Sequence, residues 1–430
     1  MQTEHTLEIK KIIAGGNGLG YLGDGLVAMV PFVLAGELVR VAEIRRCSGY
    51  IMAELLRVLR PSPLRRQPRC RYFSRCGGCK LQHISSTGQR VVKEEIIDEL
   101  VSRAHLSPGG EVAALLPSPQ AEGYRHRVRF HLSRSGEIGF HRSGSNELVA
   151  VHHCLLAAPA VNRALEELIA SGLLLEIGRY CRQVEFVCSP DDQLVSATLL
   201  LSGKRKLPGL TAAAVLNLQT LTGLVVRRGK NRVYAGGSNS VRQTFAGGRS
   251  SYTLQWDSHC FFQVNPMQNR QLVRLVLGHA GNLTGQRILD LFCGMGNFSI
   301  PLALAGAAVT GVEWNRHAID AARKNGRDAG VGAITFIAAD VTKYLQACIG
   351  GENTYDLLLL DPPRQGLGRA ARLLPALACE KIIYISCDPA TPVRDVGFLV
   401  QEGYHLSSMT PVDMFPQTHH IECVAVLEKN

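Results

Sequence analysis

The segment Ser386-Cys387-Asp388-Pro389 follows directly on an apolar run, Ile382 to Ile385, and has the residue types of a nucleophilic site. A cysteine that ends a strand in a turn and precedes a helix stands where the helix N-terminus lowers the thiol pKa. Asp388 acts in the opposite sense, since a neighbouring negative charge raises that pKa. Farther along, Phe415-Pro416-Gln417-Thr418-His419-His420-Ile421-Glu422 brings two histidines and a carboxylate to the start of another apolar strand. Glu422 is the candidate base to accompany a thiolate at Cys387. The histidine pair has no third ligand at helical spacing, which disfavours a metal there. Cys293, Cys348, Cys379 and Cys423 read as inert core thiols.

A second constellation is acidic. Leu289-Asp290-Leu291-Phe292-Cys293-Gly294-Met295-Gly296-Asn297-Phe298 joins a strand to a helix through a glycine turn that lets backbone approach a ligand closely. The third glycine of a dinucleotide fingerprint is missing, which disfavours NAD. Glu313 ends the next strand, Asp340 follows the third and Asp361 the fourth. Acids at successive carboxyl ends of parallel strands line the crevice where such sheets bind ligands, and they suit a ribose, an adenine and a cationic sulfonium. Any one of them alone would read as a solvated acid or a helix cap. Asp361-Pro362-Pro363 also suits methylation of an adenine amino group, but that chemistry wants an aromatic residue where Arg364 stands.

A methyl donor beside a thiolate and a base suits a carbon too weak to attack the methyl group directly, such as C5 of uracil. Thiolate addition at C6 generates an enolate that concentrates electron density on C5. A base then removes the C5 proton so that the cysteine can leave. Cytosine C5 chemistry uses the same device, so cytosine stands beside uracil at this point.

Cys70, Cys76 and Cys79 form a tight C-x5-C-x2-C group that needs a fourth soft ligand. Zinc completed by His83 and an iron-sulfur cluster completed by a distant cysteine are both compatible with the spacing. Arg65, Arg66, Arg69, Arg71, Arg75 and Lys80 flank the group and would face phosphates, or else form a solvated basic loop.

The elements that must position these residues fit a chain of 430 residues, 46% hydrophobic, enough for two or three domains. A formal charge of +11 is the footprint of a nucleic-acid partner. The 13 cysteines are odd in number, and Met1 to Lys11 lacks the apolar core of a secretory signal, so a reducing, cytoplasmic setting is expected. Leu207 to Val226 and Leu291 to Val312 carry no charge, yet their prolines, glycines and polar residues read as strand-turn-helix-strand rather than membrane spans. Short apolar runs between glycine turns from Leu7 to Leu59 predict a five-stranded barrel of the oligonucleotide-binding type. Gly15-Gly16-Asn17-Gly18-Leu19-Gly20 has no strand-loop-helix context and reads as strand turns. Pro61-Ser62-Pro63 marks a boundary. Gln89 to Arg103 has helical spacing, and Tyr124 to Phe140 reads as a hairpin with one basic face. Strand-like and helical segments alternate less regularly up to about Tyr252. From Gln286 onward, runs at 288–292, 308–312, 334–338, 357–360 and 382–385 predict a doubly wound α/β sheet, with 423–427 as an added antiparallel strand.

Taken in order, the cysteine group with Gln82-His83, Phe261-Phe262-Gln263-Val264-Asn265, Asp290 to Phe298, Asp361-Pro362-Pro363-Arg364, Ser386-Cys387 and Phe415 to Glu422 resemble the bacterial RNA uracil-C5-methyltransferase family. The likeness spans nearly the whole chain and is closest to the 23S ribosomal RNA enzymes, since the tRNA branch lacks the N-terminal TRAM barrel and the cysteine cluster. It implies S-adenosylmethionine contacts from Gln263, Phe292, Asn297, Glu313, Asp340 and Asp361, with Cys387 as nucleophile and Glu422 as base. It also implies a [4Fe-4S] cluster on Cys70, Cys76, Cys79 and Cys154. The expected architecture is an α/β chain: a TRAM/OB-type RNA-binding barrel over 1–60, a central α+β iron-sulfur domain over 61–258, and a class I Rossmann-like methyltransferase domain over 259–430. Residues 89–122 are expected to pack on that last domain. The expected partner is RNA, 23S rRNA above all, with a looped uridine everted into the site of a monomer and no membrane association. Methylation of a tRNA uridine, and a non-catalytic cluster-bearing RNA-binding protein, are the alternatives.

Overall fold

A computed structural model of the chain describes residues 3–106, 111–247, 250–258, 260–349, 354–377 and 379–430. Residues 107–110, inside the 89–122 segment, and residue 259, at the expected start of the last domain, lie outside the described residues. Strands Glu4–Ile12, Asn17–Tyr21, Val27–Pro31, Leu38–Cys47 and Tyr50–Arg60 close into a barrel. Ile9, Ala28, Val30, Val39, Val41 and Ile51 fill it, at alternate positions along their strands. Gly15 and Gly16, at φ of 92° and 80°, make the turn between the first two strands, and no helix follows them. The buried carboxylate of Glu37 ties the barrel to the segment beyond Pro61. It accepts from Arg65 Nε at 2.5 Å and Nη2 at 2.7 Å and from the Ser62 amide at 3.1 Å.

Most of the middle region folds as a seven-stranded sheet in the order Asn231–Gly237, Leu221–Arg228, Val195–Leu201, Cys181–Cys188, Arg127–Leu132, Ile138–His141, Leu148–Ala150, followed by a separate hairpin, Ser240–Gly247 and Ser250–Asp257. Helices Pro159–Ala170 and Gly209–Leu216 share a core with Val128, Phe130 and Leu132. The predicted hairpin forms, but its basic face is partly neutralised. Glu185, across from Arg129 in the register, accepts from that guanidinium at 3.0 and 2.7 Å and lies 3.5 Å from Arg127. The two charge-free stretches are divided among helices Gly209–Leu216 and Ser299–Leu304 and the strands around them. Among the described residues no helix is long and apolar enough to cross a membrane.

The last sheet has the order Ile334–Ala338, Ala308–Glu313, Arg287–Leu291, Leu357–Leu360, Lys381–Ser386, Glu422–Lys429, Tyr404–Val412, Glu111–Val112. Its first five strands are parallel, and the central ones, Leu357–Leu360 and Lys381–Ser386 above all, are buried on both faces and so read as continuous apolar runs, whereas the edge strand Ile334–Ala338 buries only Phe336. Strand order reverses between Arg287–Leu291 and Leu357–Leu360, and ligands bind outside the carboxyl ends at such a switch. The strand from Glu422 runs antiparallel between Lys381–Ser386 and Tyr404–Val412. Helix Ser86–Arg103, capped by the Ser85 hydroxyl at 3.1 Å from the Gly88 amide, shares a core with this sheet through Val92, Ile96, Ile97 and Val101. The chain then supplies the edge strand, Glu111–Val112, beside Ser408 and Met409.

Candidate active site

The glycine turn after Leu291 is built for close approach. Phe292 holds a left-handed φ of 68°, rare for a residue with a Cβ, and Gly294 and Gly296 follow at 56° and 93°. A Cβ on Gly296 would fall 2.8 Å from the Ile300 side chain. The amides of Phe292 and Cys293 both donate to Val312 O, at 2.9 and 3.1 Å, which pins the turn beside Glu313. Three carboxyls act on one another there. Asp290 is fully buried, pushed up to about 8 by burial and then by Asp361 and Glu313. Asp361 is pushed up to about 7 by burial and by Glu313, and burial raises Glu313 as well. One Asp290 oxygen accepts from the Ser299 hydroxyl, and the other has no hydrogen-bond partner among the described residues.

The other predicted contacts are placed differently. Asp340 is exposed and caps helix Val341–Cys348 by accepting from the Lys343 amide at 3.1 Å. Asn297 and Asn269 exchange amide hydrogen bonds at 2.8 and 3.1 Å, so its side chain is fixed. Gln263 is buried in the segment leading to helix Pro266–Ala280, where the next residue, Val264, accepts from the His126 amide at 2.9 Å.

This acidic crevice predicts a pH dependence. The folded-state pKa values of Asp290 and Asp361 lie above the roughly 3.9 of an unfolded aspartate. Their contribution to stability is therefore complete below that value and is lost as pH rises towards about 7 for Asp361 and about 8 for Asp290. A cationic sulfonium favours the ionised carboxyls, so the thermal stabilisation given by saturating S-adenosylmethionine is expected to be larger at pH 8.5 than at pH 6. Thermal shift measurements at the two pH values check this, and an equal shift would contradict it.

Cys387 and Glu422 meet because of strand register. Ser386 pairs with Cys423 across the antiparallel ladder, so the next residues outward on the two strands are Cys387 and Glu422. The thiol is half-buried and pushed up to about 11 by burial, then by Glu422, while Arg364 pulls it down by charge and hydrogen bond. The Asp388 carboxylate is engaged locally, accepting from the Ala390 amide at 3.1 Å, and helix Ala390–Gln401 begins after Pro389 with no side-chain cap. Glu422 is 2% exposed and held well above the usual carboxylate range by burial and then Asp361, against Arg364, and its Oε2 is unpaired among the described residues. His419 and His420 are pushed down to about 4 and about 3, first by burial, and so are neutral at physiological pH.

The tRNA (Uracil-5-)-methyltransferase family model matches residues 110–430. The chain belongs to the RNA uracil-C5-methyltransferase family. It is 32% identical to the 23S rRNA (uracil(1939)-C(5))-methyltransferase RlmD of Stenotrophomonas maltophilia, over 94% of this chain and 92% of that one. With the enzyme of the same name from Nitrosococcus oceani the identity is 33%, over 100% and 97% of the two chains. The crystal structure of the Pyrococcus abyssi tRNA (uracil-54, C5)-methyltransferase in complex with S-adenosyl-L-homocysteine superposes with a TM-score of 0.77 at 25% identity, covering 98% of this chain and 99% of that one. The chain is accordingly an S-adenosylmethionine-dependent RNA (uracil-C5)-methyltransferase.

In this methyltransferase Cys70, Cys76, Cys79 and Cys154 all line one cavity of about 220 Å³. Cys154 is clamped by Asn162, which donates to its carbonyl and accepts from its amide, both at 2.9 Å. His83 is not in the cavity wall; its ring packs on Phe73 and Phe32, and Nε2 faces Val33 O at 3.2 Å. Among the described residues no three His, Cys, Asp or Glu side chains are gathered to hold a single metal ion. The basic run around the cysteines is less available to phosphates than its composition suggests. Arg65 is committed to Glu37, Arg66 donates to Gln82 O and Gln417 Oε1, and Lys80 donates to Gly15 O. Sequence reasoning gave no role to Asp290 or Arg364. The signal for the first is an acid inside a buried strand, which is rare without a purpose; for the second it is a lone cation beside Asp361.

Proposed function

We propose that the chain methylates C5 of a uridine in 23S rRNA, with Cys387 adding to C6 and Glu422 removing the C5 proton. The observation that carries this is the strand register that sets Cys387 against the buried Glu422, whose Oε2 has no partner among the described residues, with Asp361 and Arg364 acting on both. The Cys387 thiolate forms a bond to C6, and the displaced π pair becomes a C5 enolate. Bound S-adenosylmethionine supplies the electrophilic methyl group and leaves as the neutral thioether. Glu422 then takes the C5 proton, the C5–C6 double bond re-forms and the thiolate departs. Arg364 favours the thiolate. Glu313, Asp361, Asn297, Gln263, Phe292 and, from the rim, Asp340 are assigned to the donor, whose cation suits a crevice of mutually repelling carboxyls.

On this reading residues 1–60 form the RNA-binding TRAM barrel, 61–258 the central iron-sulfur domain and 259–430 the methyltransferase domain, with 89–122 completing its edge. The four cysteines fit a [4Fe-4S] cluster better than zinc, because they surround a cavity far larger than one ion and His83 is turned away. The cluster would serve a structural or RNA-contacting role, and no step passes through it. The target base is everted from looped RNA so that the sulfur can reach C6. One chain carries both Cys387 and Glu422, so a monomer in the cytoplasm suffices. The solved tRNA enzyme covers 98% of this chain, so the N-terminal barrel does not by itself separate the two substrates as expected from the sequence; a ribosomal substrate is favoured by the higher identity to the 23S enzymes, 32% and 33% against 25%.

RNA containing 5-fluorouridine tests the mechanism. With S-adenosylmethionine present it is expected to give a stable adduct at Cys387, because fluorine replaces the proton that Glu422 must remove. Donor binding without any adduct would overturn it. Running 23S and tRNA fragments side by side decides the substrate.

A further inference from the structure

The loop 413–421, which leads into Glu422, is held largely by residues from the N-terminal half of the chain. Lys93, fully buried on helix Ser86–Arg103, donates to Asp413 Oδ1 at 2.6 Å and to Phe415 O at 3.3 Å. One helical turn earlier, Gln89 exchanges two hydrogen bonds with Gln417: its Oε1 accepts from the Gln417 amide and its Nε2 donates to Gln417 Oε1, both at 3.0 Å. The spacing of four residues puts both side chains on one helix face. Arg66 adds a bond to Gln417 Oε1 at 2.8 Å, the amides of Lys80 and Leu81 donate to Gln417 O at 3.2 and 3.0 Å, and the Tyr124 hydroxyl donates to Pro416 O at 3.0 Å.

These contacts hold a backbone that would not take this shape alone. Gln417 is 2% exposed with a φ of 67°, a left-handed conformation that persists in a non-glycine residue only where surroundings over-determine it. A buried ammonium is likewise retained only when paired, since its desolvation is costly. Val412 and Glu422, the residues flanking the loop, pair with each other in the ladder, so a shift of the loop bears directly on the carboxyl group that faces Cys387. Cys387 itself is carried by a different strand end and helix, Lys381–Ser386 and Ala390–Gln401.

We propose that Gln89 and Lys93 are positioning residues for Glu422, acting on the proton-removal step and not on thiol addition or methyl transfer. This rests on the mechanism proposed above. The test uses holoenzyme, S-adenosylmethionine and uridine RNA in a single turnover. It follows formation and decay of the denaturant-stable methylated protein–RNA adduct, a ratio independent of the fraction of enzyme folded. In Gln89→Leu and Lys93→Met, decay is expected to slow about tenfold or more, with formation changed less than about threefold, a part of the 10²–10⁴ that a general base contributes. Lys93→Met combined with Asp413→Leu removes the stranded charge and is expected to recover thermal stability without recovering decay. Parallel slowing of both steps, unchanged decay, or recovery of decay together with stability would overturn the positioning role. Glu422→Gln in the same assay separates the two levels: if it accumulates no adduct, the mechanism itself falls and the positioning role with it.

Discussion

Cys387→Ser is expected to lose methyl transfer by roughly 10⁴-fold or more, the scale on which enzymes lose rate when their nucleophile is removed. C5 of uracil gains electron density only after something has added at C6, and serine's hydroxyl is far too weakly acidic to do so in this surrounding. Even the thiol is pushed up to about 11, and Arg364 is what opposes burial and the nearby acids. The exchange removes little packing, because the side chain is half-buried and lies just beyond the last paired residue of its strand. Affinity for S-adenosylmethionine and for RNA should therefore stay within a few-fold of the parent protein. Filter binding and donor titration, run beside a labelled-methyl assay, separate the two effects. Turnover within tenfold of the parent would remove Cys387 from the chemistry, and loss of binding in step with activity would make its role structural.

The parallel sheet is legible in the sequence because its central strands are covered on both faces and so appear as apolar runs, Leu357 to Leu360 above all. The barrel is legible for the opposite reason: each strand alternates, and glycines mark the turns. The seven-stranded sheet is not, since Val195–Leu201 pairs in parallel with Leu221–Arg228 across a short helix while its other neighbour is antiparallel, and no local pattern encodes that order. Motif spacing singles out Cys387 and Glu422, but their register follows from ladders that join residues far apart in the chain. The grip of Gln89 and Lys93 on the loop is equally invisible, because an amphipathic helix with a lysine gives no sign that the lysine points inward. The basic run from Arg65 to Lys80 misleads in the same way. Arg65, Arg66 and Lys80 are spent on carboxylate and carbonyl partners that only the tertiary fold supplies.

Glu422→Gln is expected to cut turnover by about 10²–10⁴, the contribution of a positioned general base, while leaving the first half of the reaction in place. Glutamine has the same shape and no charge, so the strand Glu422–Lys429 has no reason to move. Glu422 is among the groups that raise the Cys387 pKa, so neutralising it eases thiolate formation if it changes that step at all. Addition and methyl transfer should then run to completion, and the product should stall with sulfur still bonded to C6, because nothing removes the C5 proton. The expected signature is a labelled protein–RNA adduct that survives denaturant on ordinary uridine RNA. The parent enzyme's turnover should also rise with pH as Glu422, held well above the usual carboxylate range, ionises, and the variant should lose that limb. A variant that turns over at the parent rate, or that stops before the methyl group is transferred, would assign proton removal to another group. Asp361 is the carboxyl whose charge already reaches both Cys387 and Glu422, so it would be the residue to examine in that event.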